Sequence, residues 1–184
     1  MDYADIVFLI PMDSVDLFEK VEEFVAGLIN TIRVEQNNRP SGNFAGSRIA
    51  IVQMGNNPRV VATLDQNINY QNQQTTREFL VQRLTAIKSE VQAQAQPSNL
   101  QAALSLTRTS VFQTSGDRIG ARNVVFLIAQ QITGGSATAI GQAMRDDDET
   151  IIMPIQYSRF PIEDQSVKQQ LEAVSSANPT LFLY

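Results

Sequence analysis

Five short, almost purely apolar runs most strongly limit what this chain can fold into: "DIVFLI" (Asp5 to Ile10), "RIAIVQM" (Arg48 to Met54), "NVVFLIA" (Asn123 to Ala129), "TIIMPIQ" (Thr150 to Gln156) and "TLFLY" (Thr180 to Tyr184). Runs this short and this rich in branched residues suit strands buried on both faces of a parallel sheet. Between them the period changes. From Val15 the apolar positions fall at Val15, Phe18, Val21, Phe24, Val25, Leu28, Ile29 and Ile32, with Glu19, Glu22 and Glu23 opposite, which predicts an amphipathic helix. Its N-terminus offers Asp13 or Ser14 as a cap.

Further helices are expected from Thr75 to about Lys88, over "SNLQAALSLTRTSVF" with Ser98 or Asn99 as cap, weakly from "GGS" to about Arg145, and from Ile162 to Val174. The turn formers "GNNP" join "RIAIVQM" to "RVVATL" as an antiparallel hairpin. The Asn/Gln-rich "DQNINYQNQQ" is expected to be a surface loop, and Pro154, which lacks a ladder donor, to mark an irregular or exposed stretch of its strand. Strands alternating with helices predict an α/β fold of three layers, a doubly wound, mostly parallel sheet with one antiparallel edge strand between two helix layers. With no linker-like tract, residues 1–184 form one expected domain.

Composition excludes several chemistries. The chain has no cysteine and no histidine, so disulfides, thiolate catalysis, Ser-His-Asp triads and His- or Cys-ligated metals are out of reach. A formal net charge of -5, with 14 basic residues dispersed along the chain, makes no stripe for tracking phosphates, so neither nucleic acid nor an anionic membrane surface is an expected partner. No apolar run is long enough to span a bilayer, and "MDYAD" is acidic where a signal peptide would be basic. "GGSATAIGQ" and "GDRIGAR" lack a phosphate-binding or dinucleotide fingerprint. "RDDDE" (Arg145 to Glu149) lacks the alternation and glycine of a calcium loop and reads as a solvated charge run. In "SRFP", Arg159 and Phe160 could form a contact pair, although covering the core edge is the commoner use of such a Phe.

In an open sheet of this class, ligands bind beyond the carboxyl ends of the strands, where strand order reverses. The segments that reach that rim are "PMDS", "QQITGG" and "QAQPSN". The candidate binding residues are therefore Asp13, Ser14, Ser98, Asn99, Gln130 and Gln131.

In their order these elements resemble the von Willebrand factor type A domain, in particular the copies found in collagen VI and related matrix proteins. "DIVFLI" with "FEKVEEFV" is similar to the family's first strand and helix, "RIAIVQMGNNPRVVATL" to its "RVGLVQFSDDPRVEFYL" hairpin, and "AALSLTRTSVF" to its "ALDYVRENVF" helix. The resemblance implies a metal-ion-dependent adhesion site built from an Asp-x-Ser-x-Ser turn, a Thr and a second Asp. Here the turn falls on Pro11, Asp13 and Val15, the Thr on Ser98, and the second Asp on Gln130 within Ala129, Gln130 and Gln131. Asp13 and Ser98 are the ligands that would remain for magnesium or calcium, and one carboxylate is too few for a hard cation. No cofactor is therefore expected.

The resemblance implies a secreted, extracellular, non-enzymatic module that binds collagen, other matrix proteins or further A domains. A cation-dependent adhesion domain with unconventional ligands Asp13, Ser98 and Gln130 is the alternative. A small nucleotide- or flavin-binding α/β enzyme is a third reading, opposed by the missing fingerprint and the absence of His and Cys.

Overall fold

The computed structural model describes residues 3–35, 46–69, 72–113, 117–157, 164–176 and 181–183. Its central sheet has six strands: β1 (Ala4–Ile10), β2 (Arg48–Gln53), β3 (Arg59–Ala62), β5 (Arg122–Ala129), β7 (Ile151–Tyr157) and β8 (Leu181–Leu183). They lie in the order β3-β2-β1-β5-β7-β8, all neighbours parallel except the β2–β3 hairpin. Two-residue strands β4 (Ser98–Asn99) and β6 (Ile132–Thr133) pair separately, in parallel.

The period of two along each strand divides the core. Ile6, Phe8, Ile10, Ile49 and Ile51 face helices α1 (Val15–Thr31) and α2 (Gln73–Ala93), while Val7, Leu9, Ala50 and Val52 face α3 (Leu100–Ser110), α4 (Thr138–Asp146) and α5 (Gln165–Val174). Both faces of β1 are therefore buried, which is why its sequence is apolar without alternation. Phe8 and Phe126 stack across β1 and β5 with ring centroids 5.1 Å apart.

Three expectations need correction. Helix α2 runs past Lys88 to Ala93, because Val91 continues the buried stripe Leu80, Leu84, Ile87. The Asn/Gln-rich segment is not wholly loop: Leu64–Asn69 winds as a 3-10 turn with Leu64 buried beneath it. Pro154 is neither irregular nor exposed. It is buried within β7 opposite Leu127, and β8 begins its pairing only at Ile155, so the described neighbour on that side does not reach it. The "SRFP" stretch lies outside the described residues.

At the amino ends of the strands, Arg118 closes a buried ion cluster. Its Nε and backbone N–H donate to Asp5, both at 2.8 Å, and its remaining nitrogens reach the carbonyls of Gly46 and Ala4. Glu35 lies 3.5 Å from Arg118 and also pairs with Arg48. Burial pushes the Asp5 carboxyl up, while the Arg118 hydrogen bonds and charge pull against it.

Candidate functional site

Strand order reverses between β1 and β5, since the chain runs outward from β1 to β2 on one side and from β5 to β7 on the other. The carboxyl ends of those two strands deliver Asp13 and Gln130 to the same rim. β1 ends at Ile10, whose carbonyl accepts the Met54 N–H at 2.8 Å. Pro11 and Met12 are buried, and the Met12 carbonyl accepts the Gln96 N–H at 2.7 Å, so the turn is anchored before it reaches Asp13.

Asp13 does not cap α1. Ser14 occupies the N-cap position with extended backbone and makes no side-chain cap bond. Instead the Asp13 carboxylate crosses the rim: Oδ2 accepts the Gln131 backbone N–H at 3.0 Å and meets the Ser98 hydroxyl at 3.5 Å, the outer limit for such a bond. Burial pushes this carboxyl above its ordinary range, opposed by the backbone N–H groups of Gln131, Asp13 itself and Gln130 and by the Ser98 hydroxyl. Every described donor to it is neutral.

The opposing loops are held by β4 and β6, in which Ser98 pairs with Ile132 and Asn99 with Thr133. Asn99 is the cap of α3, its Oδ1 accepting the Ala102 N–H at 3.1 Å, so its side chain serves the helix. Gly134 follows at φ +94, and a Cβ there would stand 2.6 Å from Asn99 Oδ1. Only glycine suits that corner. Of the six candidates, Asp13, Ser98, Gln130 and Gln131 converge, Ser14 makes no cap contact, and Asn99 is engaged in capping.

The sequence reading missed Tyr157. It is the last residue of β7, 2% exposed, and its hydroxyl has no hydrogen-bond partner among the described residues. Burial drives its pKa well above the usual tyrosine range, and the Asp13 charge adds to this. Gln130 Oε1 is a second buried oxygen without a partner. The signal was present in the order of strands, because β7 neighbours β5 and ends at the same rim.

Beside Met12 a cleft of about 340 Å³ is lined by Gln53, Asn57, Arg59, Glu90 and Gln96. Arg59 donates to Gln53 at 2.8 Å, Gln53 to Glu90 at 2.9 Å, and Arg59 pairs with Glu90, which leaves the cleft internally neutralised. In the "RDDDE" run, Asp147 and Asp148 pair with Arg108 and are not simply solvated.

The family model for the von Willebrand factor type A domain matches residues 5–184. This chain belongs to that family. The A domain is a protein-interaction and adhesion module, and solved structures agree on its fold. Proximal thread matrix protein 1 from the mussel byssus, with a zinc-occupied metal-ion-dependent adhesion site, superimposes with a TM-score of 0.75 at 14% identity, covering 99% of this chain and 44% of that one. Manganese-loaded TRAP protein from Plasmodium vivax gives 0.69 at 12% identity, covering 100% of this chain and 68% of that one. This A domain thus spans less than half of the byssus protein's chain. No curated protein sequence matches it. Among the described residues no helix is long and apolar enough to cross a membrane.

The residues at this A domain's rim do not fit a hard divalent cation. Among the described residues, Asp13 is the one sequence-predicted rim position that carries a carboxylate, its Oδ2 already accepts a backbone N–H, and Ser98 supplies a neutral hydroxyl. Among the described residues no group of three or more His, Cys, Asp or Glu side chains is placed to hold a metal. Val15, in the position of the family's second serine, is an exposed apolar residue.

Proposed function

We propose that this A domain is a non-enzymatic interaction module of an extracellular matrix or adhesive structural protein, engaging collagen, other matrix proteins or further A domains without a metal ion. The carrying observation is the Asp13 carboxylate, which is spent on the Gln131 N–H across the rim where a metal-binding turn would aim it at an ion. Two further positions agree, since Pro11 and Gln130 stand where the family places carboxylates.

Without an ion, a partner's carboxylate has nothing to coordinate. Recognition then rests on surface complementarity around the rim, with a few residues dominating the energy. The absence of histidine and cysteine argues against the common hydrolytic and thiol mechanisms.

The test is binding of the purified domain to immobilised collagens, matrix proteins and A domains, with and without a chelator. Chelator-resistant binding to one of these supports the reading. Binding that appears only with magnesium, manganese or zinc favours cation-dependent adhesion through Asp13 and Ser98 and overturns it.

A further inference from the structure

We propose that the Asp13 rim receives the ε-ammonium group of a lysine from the partner protein. This rests on the interaction-module reading above and adds the chemistry of the partner.

Charge at the rim favours an incoming cation. The buried carboxylate of Asp5 faces Arg118, and the partly buried Glu35 faces Arg48 and Arg118. Asp13 has donors that are all neutral among the described residues: the backbone N–H groups of Gln131, Gln130 and Asp13 itself and the Ser98 hydroxyl. A carboxylate drawn out of water and left without a counter-charge is expensive, and a cation from outside removes that cost.

The second observation is unused hydrogen-bonding capacity. Tyr157 is 2% exposed and its hydroxyl has no partner among the described residues, although it feels the Asp13 charge. Gln130 Oε1 is a buried acceptor with no partner. Native proteins rarely leave such oxygens idle, and both stand at the rim that Asp13 crosses, Gln130 directly after β5 and Tyr157 at the end of β7.

The third is the form of the cation. A lysine ammonium is compact and carries three donors, which suits acceptors contributed by separate residues: the Asp13 carboxylate, the Gln130 amide oxygen and the Tyr157 hydroxyl. An arginine fork needs coplanar acceptors, and a magnesium ion needs more than one anionic oxygen. Val15, 40% exposed and two residues beyond Asp13, offers apolar surface to the lysine stem.

The experiment is a titration of the whole domain with Nα-acetyl-lysine amide, followed by backbone amide NMR shifts. Saturable shifts at Gln130, Gln131 and Ser98 are expected, weakened more than about tenfold when the probe is Nε-acetylated or the domain carries Asp13→Asn. Tyr157→Phe, which keeps the ring in the core, should weaken binding by a smaller factor, and unchanged shifts elsewhere certify the fold of both variants. Equal response to the acetylated probe, or none to either, overturns the proposal. If matrix binding survives Asp13→Asn with no lysine response, the interaction-module reading stands and only the lysine fails. If magnesium or manganese moves the same amides, the metal-free reading fails with it.

Discussion

The two ends of the central sheet treat a carboxylate turned in from solvent, fully buried at Asp5 and partly buried at Asp13, in opposite ways. At the amino ends, Asp5 is fully buried and Arg118 meets it with a guanidinium bond, a backbone bond and a full positive charge. At the carboxyl ends, the described partners of Asp13 are N–H groups and a hydroxyl. Burial raises both carboxyls. The difference is what opposes it, and it separates a structural clasp from a surface that still has charge and acceptors to offer a partner.

The sharpest way to break this comparison is to remove the clasp. Arg118→Ala strands Asp5 and frees the carbonyls of Gly46 and Ala4, and should cost about 3–5 kcal/mol in urea unfolding. A double change to apolar residues, Asp5→Leu with Arg118→Met, should recover much of that, because neither charge is then left alone. If Arg118→Ala is neutral, the clasp does not hold the amino ends together. At the other end, Gly134→Ala should cost about 2 kcal/mol, since it forces a side chain into left-handed backbone and against the Asn99 cap. Its effect should show as faster amide exchange in the first turn of α3.

Tyr157→Phe runs the other way. Removing a buried hydroxyl that has no partner should stabilise the domain by about 1 kcal/mol in the absence of a ligand, measured by thermal or urea unfolding. A loss of stability would reveal a partner for that hydroxyl.

The smallest effect is a slope. Asp13 has a folded pKa above its ordinary value of 3.8, so its protonated form is the one the fold prefers. Its contribution is full below the unfolded value and is lost as pH rises through the raised folded value. From about pH 4 toward neutrality the wild type should therefore lose more unfolding free energy than Asp13→Asn does. Parallel curves would mean that Asp13 carries no penalty.

The sheet was legible because its evidence is local. "DIVFLI" and "NVVFLIA" are apolar on both faces, and "GNNP" between two apolar runs announces a hairpin. The rim was half legible. Counting along the chain placed Asp13, Ser98 and Gln130 at one edge, but whether Asp13 turns to its own helix or across the sheet depends on the Gln131 N–H, 118 residues away. The clasp is not legible at all: Asp5 merely opens the apolar run "DIVFLI", and Arg118, 113 residues on, lies in "GDRIGAR", whose local pattern shows only that a dinucleotide fingerprint is missing. Pro154 departs from expectation for the same reason, since β5 pairs with it at Leu127 while the described pairing with β8 begins only at Ile155.

Calorimetric titration of the domain with magnesium, manganese and zinc tests the central claim most directly, namely that Asp13 is engaged by protein donors in place of an ion. The account predicts no saturable heat that depends on Asp13. Micromolar binding abolished by Asp13→Ala would contradict it.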